Sequence, residues 1–141
     1  MELSSKTLAF LEEQCEVYRD IDRHLAIRHL ELEHPWKESD INNGMSKSFG
    51  ITKSQEELAL KLDNDKRWKN LLHTKGCIDE ARKNMNEDES NIFQKKYIDV
   101  DSAFYDWETL GKTLDPELSK TSMYRKRLAI LSLIAKEYGY I

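Results

Sequence analysis

The residues most capable of chemistry are concentrated in the last 23 positions of this 141-residue chain. Residues 119–141 contain five basic residues and one acidic residue, and four of the bases lie between positions 120 and 127. Lys and Arg interleaved with Ser and Thr on one helix are typical of a surface that contacts nucleic-acid phosphate. Arg can bind guanine through two hydrogen bonds, whereas Lys and Ser mostly contact the backbone. The predicted DNA contacts are Ser119, Lys120, Thr121, Ser122, Arg125, Lys126 and Arg127.

The segment before this helix indicates how it is positioned. Asp106 is placed to cap a short helix that ends near Leu114, and Ser119 is placed to cap the long basic helix, which extends to about Tyr138. Gly111 would let the two helices cross closely. Leucines would fill the wedge between them: Leu110, Leu114 and Leu118. A short helix, a turn and a second, polar helix are the layout of a helix-turn-helix, here with a turn about two residues longer than the tightest examples.

A third helix is predicted directly upstream. Asn86-Glu87-Asp88-Glu89 is a capping box, and the apolar residues that follow continue to about Ile98. Residues 86–141 would therefore form a trihelical DNA-binding domain. Residues 1–85 would form an N-terminal helical arm and connector.

The net charge of -4 argues against nucleic acid only as an average. Residues 1–118 hold 17 bases and 25 acids, a net -8, whereas residues 119–141 carry +4. The acidic part would repel stray phosphate and orient the basic helix toward DNA.

The N-terminal arm begins with an amphipathic helix, predicted over about Ser5–Leu32. Its apolar stripe keeps one heptad position through Leu11, Tyr18, Leu25 and Leu32. The stripe could be intramolecular core, in a helix or helical hairpin, or the seam of a homodimer.

A polar connector over residues 34–53 follows Pro35, with Trp36 and Phe49 as its anchors. Ser54-Gln55-Glu56-Glu57 resembles a second capping box and predicts a helix to about Asn84, either continuous or broken near Gly76. No stretch alternates long enough to be a strand, so the fold class is all-α.

Other functions find little support in the residues. No apolar run is long enough for a membrane span, and the first residues do not resemble a signal peptide. Cys15 and Cys77 suit a reducing cytoplasm. A spacing of five separates His24, His29 and His34 by about 140° on a helix, so no metal site is expected. No nucleophile has an identifiable partner and no loop could cradle phosphate, so neither enzymatic activity nor a cofactor is expected.

Several segments resemble the RinA/ArpU group of late-gene regulators from phages of Gram-positive bacteria. The resemblance lies in residues 106–114 (DWETLGKTL), 119–127 (SKTSMYRKR) and 133–139 (LIAKEYG). It also includes connector and helix residues: Pro35, Trp36, Asp40, Asn42, Gly44, Ser54, Glu57 and Ala59. It covers about residues 30–141. Met45 stands where a second glycine is usual.

The resemblance implies a helix-turn-helix similar to region 4 of bacterial sigma factors. It also implies a transcription activator of the operon for phage packaging, structural and lysis proteins, acting in the cytoplasm of the bacterial host. Double-stranded DNA of the late promoter would be the main partner. The N-terminal helices would supply self-association or contact with host RNA polymerase.

Two alternative functions use the same residues differently. A small terminase subunit of a phage packaging machine also joins a helix-turn-helix to oligomerising helices. A helical protein-interaction module would use the basic helix only as a solvated face. DNA retention and assembly state distinguish the three hypotheses.

Overall fold

The computed structural model describes residues 3–34 and 51–141, and these residues are mostly helical with no strand among them. The predicted all-α class is therefore confirmed. The predicted anchors Trp36 and Phe49, like the connector residues of the family resemblance, lie outside the described residues. In chain order the helices are α1 Ser5–Arg19, α2 Ile21–Glu33, α3 Ile51–Asn64, α4 Lys66–Lys83, α5 Glu87–Phe93, α6 Trp107–Thr113 and α7 Lys120–Tyr138; a π-helical turn, Gln94–Ile98, continues α5.

The helices form two compact units, one from residues up to Arg19 together with Thr74–Ile141, the other from Asp20–His73. In the first unit, α7 packs against α1, α5 and α6. Its core consists of fully buried side chains from all of these helices and from α4: Leu11, Cys15, Ile78, Ala81, Ile92, Phe93, Leu110, Met123, Ile130, Leu131, Ile134 and Ala135. In the second unit, α2 packs against α3.

These units differ from the division at residue 85 that the sequence predicts. The predicted trihelical domain lacks α1 and the last turns of α4, yet both contribute fully buried residues to the same core as α7: Leu11 and Cys15 from α1, Ile78 and Ala81 from α4. The sequence pattern could not assign these residues to the C-terminal unit because nothing local links α1 to a helix more than 100 positions away.

The predicted continuous helix over Ser5–Leu32 is interrupted at Asp20. Asp20 has φ -112° and ψ 26°, outside the helical region, and α2 begins at Ile21. The apolar stripe is divided accordingly: Leu11 and Tyr18 are buried in the first unit, Leu25 in the second. These three side chains belong to intramolecular cores, and the fourth residue of the stripe, Leu32, is half-buried.

The helix predicted to start at a Ser54–Glu57 capping box instead contains Ser54, since α3 begins at Ile51. The break lies at Asp65 rather than at Gly76, which is inside the uninterrupted α4. Asp65 caps α4: its Oδ2 accepts a hydrogen bond from the Trp68 backbone amide at 2.7 Å. An Asp inside an apolar pattern gives little local sign that its carboxylate will accept an amide, so the pattern favours the helix-weakening Gly76 as the break instead.

The other predicted caps are confirmed. The Asn86 side chain accepts from the Glu89 amide at 2.8 Å, and the Glu89 carboxylate accepts from the Asn86 amide at 3.0 Å. Asp106 accepts from the Thr109 amide at 2.7 Å. Gly139, with φ 82°, ends α7 in the left-handed conformation that glycine adopts without strain.

Asp65 should make the second unit sensitive to acid. The Arg28 guanidinium donates two hydrogen bonds to its carboxylate, at 2.9 and 2.5 Å. These bonds, with the Trp68 amide, lower the pKa of Asp65 from 3.8 to about 2. A carboxylate with a lowered pKa stabilises the fold fully above its unfolded pKa, and this contribution is lost as the pH falls from about 4 toward 2.

We therefore expect Asp65→Asn, which keeps a capping side chain but removes the charge, to be less stable than wild type at pH 7. The difference should vanish near pH 2. Hydrogen exchange of α2 and α3 amides across this range measures it. A difference that stays constant down to pH 2 would contradict the assigned ion pair.

Candidate nucleic-acid interface

The crossing of α6 and α7 is set by Gly111. A Cβ atom added at Gly111 would lie 2.6 Å from the Leu118 carbonyl oxygen and 2.6 Å from the Met123 Cγ, closer than real Cβ contacts allow. The Gly111 carbonyl also accepts a hydrogen bond from the Leu118 amide at 3.1 Å. The glycine therefore lets the turn and the start of α7 lie directly against α6, as the sequence predicted.

The predicted leucine wedge is partly as expected. Leu110 is fully buried and Leu114 nearly so, whereas Leu118 is only half-buried. Trp107 joins them beneath α6 and contacts the Tyr97 ring, with ring centroids 6.0 Å apart. This apolar base supports the start of α7 from below.

Ser119 caps α7 as predicted, and its Oγ accepts from the Ser122 amide at 3.2 Å. Ser119, Lys120 and Thr121 are exposed. The first amides of a helix carry partial positive charge, so this exposed end attracts anions. Ser122 is half-buried, and its Oγ accepts a hydrogen bond from the Ser119 hydroxyl at 3.1 Å.

The exposed residues of the first turns of α7 form one face, which we call the outer face of α7: Lys120, Thr121, Tyr124, Arg125 and Leu128. Residues 120, 124 and 128 are four apart, as are 121 and 125, so both rows run along the same side of the helix. The Lys120 ammonium lies 6.0 Å from the centre of the Tyr124 ring. Within the described part of the chain, neither Lys120 nor Arg125 has an ion-pair partner.

Two predicted contacts are placed differently from the outer face. Arg127 forms an ion pair with Glu12 of α1, and its Nε donates to Glu12 Oε1 at 3.0 Å. Lys126 is half-buried, with its Nζ 3.9 Å from Asp88. Of the seven predicted contacts, the structure brings Ser119, Lys120, Thr121 and Arg125 together at an exposed surface. Ser122 and Lys126 lie at its margin, and Arg127 faces the interior.

Glu12 is the centre of a polar cluster under α7. Its second oxygen accepts a hydrogen bond from the Tyr97 hydroxyl at 2.9 Å, and the Tyr97 carbonyl accepts from Arg19 Nε at 2.6 Å. Burial raises the pKa of Tyr97, so the phenol stays protonated and donates. Burial alone would lower the pKa of Arg127, but the hydrogen bond and charge of Glu12 outweigh it and raise that pKa. Arg127 therefore stabilises the packing of α7 against α1 through its ion pair with Glu12.

Sequence reasoning missed several residues around the outer face. Tyr124 is not among the predicted contacts, and the sequence pattern places Leu128 on the apolar face of the last helix, yet these side chains are 42% and 46% exposed. Near the start of α7, a shallow pocket is lined by basic and acidic side chains, among them Lys112, Glu108 and Glu117. The four-residue spacing of 120, 124 and 128 is the only local signal that could have revealed this face.

Metal ligands, thiols and membrane-spanning helices are further features that bear on function. Across residues 3–34 and 51–141, no three His, Cys, Asp or Glu side chains lie close enough to hold a metal ion. Cys15 and Cys77 are buried and neither is part of a disulfide, and burial raises the pKa of each thiol. Among the helices described, none is both long and apolar enough to cross a membrane.

Fold and site together define an all-helical protein whose last helix presents a serine-capped, basic and partly apolar face. The chain belongs to the family described as Protein of unknown function (DUF722), whose family model matches residues 17–136. A search of curated proteins gave no match, and neither did a search of solved structures.

Proposed function

We propose that this protein is a sequence-specific DNA-binding transcription regulator that uses the start of α7 as its recognition helix. The observation that carries the proposal is the outer face itself: an exposed, capped helix start with Lys120 and Arg125 lacking ion-pair partners in the described structure. The close crossing at Gly111 supports a helix-turn-helix layout, since it fixes the orientation of α7 against α6.

In the proposed complex, different residues of the outer face contact the phosphates and the bases. Lys120 and the first amides of α7 suit phosphate, because both place positive charge at a solvent-exposed helix end. Arg125, one turn further along, can reach base edges when α7 enters the major groove. The nearby Glu108 and Glu117 repel phosphate, which lowers non-specific affinity and leaves binding dependent on matched contacts.

By its resemblance to the RinA/ArpU group, we propose that the regulated target is a phage late operon and that the regulator activates it in the bacterial host cytoplasm. Host RNA polymerase is the corresponding protein partner. Among the helices upstream of α7, α1, α2 and α5 each carry more acidic than basic residues, and these suit such a contact better than a second DNA contact.

The test begins with a duplex selected by the wild-type protein from a randomised DNA library. Arg125→Ala is expected to weaken binding to that duplex by about 1–3 kcal/mol and to relax the base preference at one position. Lys120→Ala should weaken binding to all sequences and reduce the slope of log K against log salt by about 0.9.

Lys136→Ala is the matched control, since Lys136 is an exposed base near the opposite end of the same helix. It should leave affinity and salt slope unchanged. No enriched sequence, or equal losses in Lys136→Ala and Arg125→Ala, would overturn the proposal. A large ring that stays assembled on DNA would indicate a packaging subunit instead.

A further inference from the structure

The segment between the π-helical turn and α6 exposes two large apolar side chains. In Asp99–Tyr105, which we call the acidic loop, Val100 is 77% and Phe104 is 75% exposed. They line a shallow groove with Ala103 and, from α1, Glu16 and Arg19. Val100 and Phe104 are the two most exposed large apolar side chains of the described residues and lie on the same groove, and such a contiguous apolar patch is typical of an interaction site.

The acidic loop is held in place by hydrogen bonds. Lys96 Nζ donates to the carbonyls of Ala103 and Tyr105 at 3.3 and 2.7 Å, and Ser102 Oγ donates to the Lys95 carbonyl at 2.5 Å. The Gln94 amide also donates to Asp99 at 2.9 Å. A fixed loop loses little conformational entropy on binding, so its exposed Val100 and Phe104 are arranged in advance for a contact.

Charge indicates what would cover the loop. Asp99 and Asp101 lie on either side of Val100, and Asp106 follows two residues after Phe104, with no basic residue in 99–106. The matching surface must combine positive charge with apolar area. The outer face of α7 has this composition: Lys120 and Arg125 supply charge, and Tyr124 and Leu128 supply exposed apolar surface.

We propose that the acidic loop of one copy docks on the outer face of α7 of a second copy. Such a contact is heterologous: each chain offers one loop and one face, so copies join head to tail. Phe104 and Val100 would cover Tyr124 and Leu128, while Asp99 and Asp101 approach Lys120 and Arg125. In so far as the outer face also binds DNA, which rests on the proposed function, DNA and a second copy exclude each other.

The test needs no DNA and uses two full-length variants. Phe104→Asp disables the loop and leaves the face intact; Leu128→Asp does the reverse. Sedimentation of the wild type in low salt should show a mass that rises with concentration and falls as salt is added, because the matched charges are exposed. Each variant alone should lose self-association about tenfold or more.

Mixing the two variants is the decisive measurement. One intact loop and one intact face remain in the mixture, so a head-to-tail contact yields a one-to-one dimer that neither variant forms alone. Leu60→Asp is the matched control, since Leu60 is a 62% exposed apolar residue of α3 outside both surfaces, and it should assemble like wild type. If either aspartate variant loses helicity, Phe104→Ser and Leu128→Ser replace the pair.

Three results would overturn the proposal. The wild type could remain monomeric at all concentrations, the variants could assemble as wild type does, or the mixture could fail to dimerise although both variants are folded. A monomeric wild type would indicate that the acidic loop binds a different protein with a basic surface. The other two would place self-association on another surface or in a symmetric contact. DNA binding by Lys120 and Arg125 could still hold in each case.

Discussion

Replacing Glu12 with alanine is expected to destabilise the protein by about 3 kcal/mol, because one carboxylate neutralises Arg127 and accepts from Tyr97. Removing one partner of a buried ion pair costs about 3–5 kcal/mol, since the other charge is left without compensation. The lower end applies here, because the side chains of Arg127 and Glu12 keep 21% and 23% of their exposure. Chemical denaturation at neutral pH, with the midpoint and slope both fitted, measures the change.

A second pair of variants separates charge from packing. Glu12→Gln keeps the shape and one acceptor oxygen but not the charge, and it should cost less than Glu12→Ala. Replacing both ends with apolar residues, Glu12→Leu with Arg127→Met, should recover part of the loss, since no uncompensated charge remains although the Tyr97 hydroxyl loses its acceptor. If the double variant were as unstable as the sum of the singles, the two residues would not be coupled and our account of the cluster would fail.

This prediction also bears on the DNA interface. Arg127 belongs to the basic run that the sequence assigns to DNA contact, yet its guanidinium is bound to Glu12. Arg127→Ala should therefore reduce stability far more than it reduces DNA affinity measured well below the unfolding temperature. Arg125→Ala should show the opposite pattern.

Gly111→Ala is expected to destabilise the protein by up to about 2 kcal/mol, and Gly111→Val by more. The added Cβ would meet the Leu118 carbonyl, a backbone atom that cannot move without shifting the turn into α7. Overpacking of this kind costs about 1–3 kcal/mol and outweighs the gain of up to about 1 kcal/mol in helix propensity. Thermal unfolding followed by circular dichroism measures the change.

Gly76→Ala provides the matched control. Gly76 lies inside α4, is exposed, and has no neighbouring atom within 4 Å of an added Cβ. The same substitution there should stabilise by up to about 1 kcal/mol, because only helix propensity changes. Opposite signs at the two glycines would show that the crossing of α6 and α7 is specified by contact. A stabilised Gly111→Ala would mean that α7 can move away from α6 without cost.

Much of the C-terminal half was predictable because its signals are local. Asn86 with Glu89, Asp106 and Ser119 each act within four residues of their own position, and each performs the capping role expected of it. The role of Gly111 was predictable for a related reason, since only a small residue fits between a short helix and the helix that follows a tight turn. The boundaries near Asp20 and Asp65 were not predicted, because Asp20 makes no capping hydrogen bond that a pattern could reveal and Asp65, although it caps α4 locally, lies inside an apolar helical pattern.

The sequence by itself determined the helical class, the position of the capped basic helix, and the contrast between an acidic body and a basic end. These properties follow from residue type and from spacing within one or two helical turns. The tertiary structure alone decided which bases face solvent. Glu12 and Arg127 are 115 positions apart, and only packing of α1 against α7 brings them together. Burial then makes a partner obligatory for Arg127 and leaves Lys120 and Arg125, on the outer face, available for a ligand.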